Sequence, residues 1–182
     1  MDKQEKITSL LVCTGREGID KLVDYLITDG FFESPASIRY HGCYNGGLAD
    51  HSYNVYEELK AYNLLFKLEC PEESIVIAAL LHDVCKIGAY IGDSAPYKGN
   101  RSKEKGHALL SIERIKRYID LTELEEMMIL YHMGVYGLVE FDEKSGEYTL
   151  RNKSMANAWY HHPIVKVMYF CDEIVTLKEK VS

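Results

Sequence analysis

Four histidines and two aspartates recur along this chain in an order suited to holding divalent cations: His51, the adjacent pair His82-Asp83, His107, His132 and Asp172. The periodicity of apolar residues around them predicts helices, with these polar groups on the apolar faces. His82 shares its expected face with Ile75, Ala78 and Ala79, Asp83 follows Val76 and Ala79, and Asp172 sits among Val165, Met168 and Val175. A single histidine on an apolar stripe is ordinarily a hydrogen-bonded core residue. Two carboxylates and four imidazoles turned inward call for mutual pairing or a cation, because burying a lone carboxylate costs several kcal/mol. A metal accounts for all six together. Imidazole and carboxylate without thiolate admit Mn, Fe, Co, Ni, Zn or Mg, and residue type alone does not choose among them.

The order H…HD…D, with LLHDVCKIG at its centre, resembles the HD-domain metalloprotein superfamily over residues 31–178. The segment PASIRYHGCYNGGLADHSYNV is similar to a Gly-Gly-Leu subgroup that includes HD-type 3′-to-5′ exoribonucleases and phage-encoded HD hydrolases. CDEIVT resembles the segment that supplies the last aspartate. The histidines of GHALLS and YHMG resemble the second-metal ligands of two-metal members. The resemblance implies an all-α helical bundle in which His51, His82, Asp83 and Asp172 hold one ion while Asp83 bridges to a second held by His107 and His132. It also implies phosphoester hydrolysis: two cations lower the pKa of a shared water, and the resulting metal-bound hydroxide attacks a phosphoryl group that the ions clamp. Asp83 and Lys86 are then the catalytic candidates, and Lys86 would neutralise a phosphate oxygen. A lysine at a helix C-terminus also has a purely structural explanation in the dipole. HD-fold oxygenases use the same four histidines and two aspartates on iron, so a di-iron oxygenase is the alternative enzyme, and a non-catalytic nucleotide-binding protein is the third reading. One departure stands out. Met133 occupies a place where some two-metal members carry another histidine, so the second ion is expected either to bind weakly or to have its shell filled out by water and substrate. The chain also lacks the oligonucleotide-binding domain that accompanies the exonuclease relatives, which favours a small nucleotide or short oligonucleotide as substrate.

The elements that must position these residues follow from period and punctuation. An N-terminal helical pair over about 3–13 and 16–28 ends at Asp29-Gly30. A Gly-rich turn from His41 to Gly47 leads into a long helix from about Leu48 to Leu68, with Leu48, His51, Val55, Leu59, Tyr62 and Phe66 along its stripe. Pro71 opens the next helix, which is expected to run to about Lys86. Residues 88–106 read as a surface loop. Helices over about 107–119 and 122–132, a small β-hairpin near 137–151 and a last helix from Pro163 to about Glu179 complete a single domain over 1–182, with 1–30 as the helical pair and 31–178 as the core. His41 and Arg39 are the further candidates for substrate phosphate. Lys98, Arg101 and Lys103 have ordinary surface explanations, and Tyr44, Tyr90, Tyr97 and Tyr136 offer stacking faces. His161 and His162 read as capping or exposed residues at the start of the last helix.

Composition bounds the rest. The chain has 182 residues, 47% hydrophobic, with 21 Lys plus Arg against 28 Asp plus Glu for a formal charge of −7. That balance argues against a long nucleic-acid-binding face but leaves small anionic substrates open. The longest apolar run, Ile75 to Leu81, is far short of the roughly 20 residues that span a bilayer. The five cysteines form no CxxC pair and the N-terminus has no secretory pattern, so reduced thiols in a cytoplasm are expected, with no membrane partner.

Overall fold

A computed structural model of the chain describes residues 1–38, 41–92, 97–99, 106–134, 139–142, 147–150 and 153–181. Among them are eight α-helices: α1 (Lys3–Cys13), α2 (Ile19–Thr28), α3 (Gly47–Phe66), α4 (Glu72–Leu81), α5 (His107–Ile115), α6 (Glu123–Leu130), α7 (Lys153–His161) and α8 (Pro163–Val181). The fold is an all-α helical bundle.

Helix α4 is its centre. Every residue from Ser74 to Leu81 is buried, as expected of a helix apolar all round, which has no face to offer water. It packs on α3, α6 and α1, and α3 in turn packs along α8. Ile7 and Leu11 of α1 and Leu22 and Leu26 of α2 enter the same apolar cluster as Leu48, Leu59, Ile77 and Leu80. The N-terminal pair is thereby continuous with the core. Capping boxes start α1, where Asp2 and Glu5 exchange backbone bonds, and α6, where Thr122 and Glu125 do the same; each satisfies two otherwise orphaned backbone N–H groups.

Glu125 does more than cap. Its fully buried carboxylate receives Nη2 and Nη1 of Arg16 at 2.7 and 3.1 Å and the Ser74 hydroxyl at 2.8 Å. This ties the α1–α2 connection to α4 and α6. Burial opposes the charge on Glu125, but the bonds from Arg16, Thr122 and Ser74 hold its pKa below the ordinary value.

The structure departs from the sequence reading in several places. Helix α4 stops at Leu81 instead of running to Lys86; His82 and Asp83 form a turn and Val84–Lys86 a single 3₁₀ turn. Within 88–106, expected as plain loop, Tyr90–Ile91 pairs antiparallel with Lys98–Gly99. Helix α7 was not foreseen. It is separated from α8 at His162, because the residue before a proline is pushed out of helical geometry. His161 therefore ends α7 and does not begin the last helix, and both it and His162 are exposed. Phe66 is 56% exposed, with Leu64 and Leu65 also in water; the end of α3 overhangs the core, where Tyr62 stacks on Phe66. The hairpin expected near 137–151 is present, pairing Val139–Asp142 with Glu147–Leu150.

Candidate metal centre

Three structural devices deliver five of the six residues to one place, and α8 brings the sixth, Asp172. The first is the Gly-rich turn before α3. A Cβ on Gly47 would lie 2.0 Å from the Gly42 carbonyl oxygen, so only glycine lets this turn fold back against the start of α3. His51 follows one turn into the helix and is fully buried.

The second device is an abrupt helix end, used twice. His82 and His132 each lie just beyond a helix, and each donates its Nδ1 proton to the carbonyl three residues back: Ala79 at 2.9 Å and Ile129 at 2.6 Å. A carbonyl can only accept, so the proton sits on Nδ1 and Nε2 keeps its lone pair. The same bond satisfies a C-terminal carbonyl of the helix. Gly134 closes the second turn against the ring of Tyr169, which would stand 2.3 Å from an added Cβ. The third device is α5, which presents His107 as its first residue. From the same face, Ser111 accepts the Cys85 N–H at 3.2 Å, while Nη1 of Arg114 donates to the carbonyls of Val84 and Ile87 at 3.0 and 3.1 Å. Helix α5 thus clamps the turn that carries Asp83.

The resulting cluster is elongated. The rings run His41, His51, His82, His132 and His107, with successive centroids 4.7, 5.5, 4.9 and 5.3 Å apart. At one end Asp172 Oδ1 lies 3.0 Å from His51 Nε2 and 3.8 Å from His82 Nε2. In the middle, the two oxygens of Asp83 divide: Oδ2 lies 3.3 Å from His82 Nε2, and Oδ1 lies 3.6 Å from His107 Nε2 and 3.8 Å from His132 Nε2. Ligands of one ion at bond lengths near 2.1 Å stand roughly 3.0–3.4 Å apart, so these separations are close to those of coordination shells. Two overlapping groups could each hold an ion: His51, His82 and Asp172, and His82, Asp83 and His132.

Polar satisfaction points the same way. Among the described residues, His82 Nε2, His132 Nε2 and Asp83 Oδ1 are buried without a hydrogen-bond partner, a costly state for protein alone and a normal one for atoms that take a cation. Burial pushes His132 down to about 4, which favours the neutral ring that a metal needs. Asp83 and Asp172 are held well below the ordinary carboxylate range in spite of burial, Asp83 chiefly by Lys86 and Asp172 by His51. Lys86 Nζ lies 2.5 Å from Asp83 Oδ2.

The other candidates separate. His41 stands beside His51 with both ring nitrogens buried and without a partner among the described residues, and burial lowers it to about 4. Arg39, Arg101, Lys103 and Tyr136 lie outside the described residues. Lys98 is exposed on its short strand. Tyr97 is a core residue at 6% exposure, and Tyr44 donates to Asp50. Cys85 and Cys171, next to candidate ligands in sequence, are buried core thiols, and none of the five cysteines forms a disulfide. Sequence reasoning missed Glu179, whose Oε2 lies 3.1 Å from His51 Nδ1, together with Asn54, Ser111 and Arg114. The available signals were spacings: Glu179 is two helical turns beyond Asp172, and Ser111 and Arg114 are four and seven residues beyond His107.

The model of the HD domain family matches residues 48–162, well over half of the chain. The protein belongs to the HD domain family. The match includes His51, His82, Asp83, His107 and His132, whereas Asp172 arrives from α8 beyond it. A relative described as 3′-5′ exoribonuclease YhaM of Geobacillus sp. (strain WCH70) is 26% identical over 137 residues, covering 72% of this chain and 42% of its own length. The chain thus spans about two fifths of that relative. No solved structure matches it.

Proposed function

We propose that this chain is a metal-dependent phosphohydrolase that cleaves a phosphoester or phosphodiester in a nucleotide or short oligonucleotide. The observation that carries the reading is the convergence of unpartnered ligand atoms, Nε2 of His82 and His132 and Oδ1 of Asp83, in one buried cluster. His51, His82 and Asp172 would hold one divalent ion and His107 and His132 a second, with one Asp83 oxygen toward each. Such ions, when bound, acidify water and neutralise phosphoryl oxygens.

The chain's own residues do the remainder. Lys86 places positive charge beside Asp83 and would neutralise a non-bridging phosphate oxygen. His41, neutral near pH 7, has one N–H to donate and one nitrogen to accept, and neither is used among the described residues; it would orient the substrate phosphate at the His51 end. Arg39, two residues earlier in the sequence, would add positive charge toward the same phosphate. The name of the exoribonuclease relative supports phosphodiester chemistry, and the net charge of −7 supports a small substrate over a long nucleic-acid face. Among the described residues no helix is long and apolar enough to cross a membrane. Five thiols without a disulfide favour a reducing compartment, and we place the activity in the cytoplasm.

The test is metal content after purification without chelator, followed by phosphate release from nucleotides, cyclic nucleotides and short oligonucleotides with Mn, Mg, Co, Ni and Fe. Ion-dependent turnover that disappears in Asp83→Ala is expected. Bound iron with no hydrolysis of any phosphate compound would overturn the reading in favour of oxygen chemistry.

A further inference from the structure

His51 is gripped from both sides by one helix. Asp172 and Glu179 stand seven residues apart on α8 and so share its face. Asp172 Oδ1 lies 3.0 Å from His51 Nε2, and Glu179 Oε2 lies 3.1 Å from Nδ1. Asn54, one turn beyond His51 on α3, donates its amide to the other Glu179 oxygen at 3.0 Å. The Glu179 side chain is 13% exposed and that of His51 is fully buried. A carboxylate accepts and cannot donate, so in the metal-free chain the ring donates Nδ1–H to Glu179 and Nε2–H to Asp172; a divalent ion would displace only the Nε2 proton, leaving Nδ1 held by Glu179.

We infer that Glu179, aligned by Asn54, is a positioning residue for His51: it fixes the tautomer and plane of the ring so that Nε2 is presented to a divalent ion together with Asp172. The inference rests on the metal centre proposed above. It assigns α8 two tasks, a ligand at Asp172 and an orienting carboxylate two turns later. His82 and His132 need no such carboxylate, because backbone carbonyls perform the same service for them. His51 lies inside α3, where the carbonyls around it are taken up by the helix, so its Nδ1 partner must come from elsewhere. Carboxylate partners of this kind are typically worth about 10- to 100-fold in metal affinity.

The experiment measures the dissociation constant for Mn or Zn by competition with a chromophoric chelator, on the full chain and without reference to turnover. Glu179→Ala is expected to weaken the tighter site by about 10- to 100-fold. Glu179→Gln, which still accepts the Nδ1 proton, recovers most of the loss, and Asn54→Ala falls between. Glu58→Ala serves as the control: it removes the ion pair between Glu58 and Lys178, which joins the same two helices without touching His51, and should leave affinity unchanged. In the zinc-loaded protein the Nδ1 proton of His51 should be visible in a long-range proton–nitrogen spectrum of the wild type and of Glu179→Gln, and lost to exchange in Glu179→Ala. Wild-type affinity in a folded Glu179→Ala, or an equal loss in Glu58→Ala, would overturn the positioning role alone. A wild-type protein that takes up no divalent ion would overturn the metal centre and this inference with it.

Discussion

Asp83 is the residue on which both ends of the cluster depend, because its two oxygens face different histidines. Replacing it with alanine should abolish loading of both ions and all turnover. His132→Ala touches only the Oδ1 side, so it should reduce bound metal toward one ion per chain while the His51 end stays filled. Elemental analysis of the two variants after dialysis separates these outcomes, and complete loss in both would contradict the division. Lys86→Met should behave differently again. It leaves every imidazole and carboxylate in place, so metal content should persist while turnover drops. Most of this set was legible in the residue types, since paired imidazoles and carboxylates on inward faces have few other uses. Glu179 was not, because a glutamate near a chain end looks like surface until α8 is laid against α3.

Among the elements, the ends of helices matter more than their middles. Sequence periodicity carried α4 through to Lys86, since Val84 and Cys85 are apolar and continue the pattern. The helix in fact ends where the His82 side chain takes the Ala79 carbonyl, a local competition that periodicity does not register. Gly47→Ala should destabilise the fold by about 1–3 kcal/mol or more, because the added methyl meets backbone and not a side chain that can move; urea unfolding reads it. The Arg16–Glu125 pair makes a second prediction at this scale. Arg16→Met leaves a buried carboxylate without its cation and should cost roughly 3 kcal/mol, the low end for a broken buried pair because Arg16 itself still meets water. Glu125 has its pKa depressed in the folded protein, so the unfolded chain binds the proton first as pH falls. Its contribution is complete above the ordinary carboxylate range and is lost on acidification through the folded value. Wild type should therefore lose stability in acid more steeply than Arg16→Met, as thermal melts across pH 3 to 7 would show.

For the molecule as a whole, an ion held by residues of α3, α5, α8 and the turns after α4 and α6 would also be a crosslink of the bundle. An ion that binds only the folded chain stabilises it by mass action, about 2.7 kcal/mol at a hundred times its dissociation constant. In a chain of this size that corresponds to a rise in Tm of roughly 5–10 °C. Calorimetry with and without Mn should show the rise, a chelator should reverse it, and Asp83→Ala should abolish it. An unchanged Tm on metal addition in wild type would argue that these residues do not gather an ion at all.

The helical class, the central apolar helix and the identity of the six candidate ligands were already set in the linear chain, because each depends on residue type and on a period that neighbours in sequence impose. Which atoms meet was decided only by tertiary packing. Asp172 lies 121 residues from His51 in sequence and 3.0 Å from it in space, and no local rule relates the two. The division of Asp83 between His82 and the pair His107 and His132, the clamp of α5 on the turn and the grip of Glu179 on His51 all arise where helices distant in sequence are brought together to bury their apolar faces. That packing places the polar atoms on those faces out of reach of water, and it is there that a cation becomes the favourable partner.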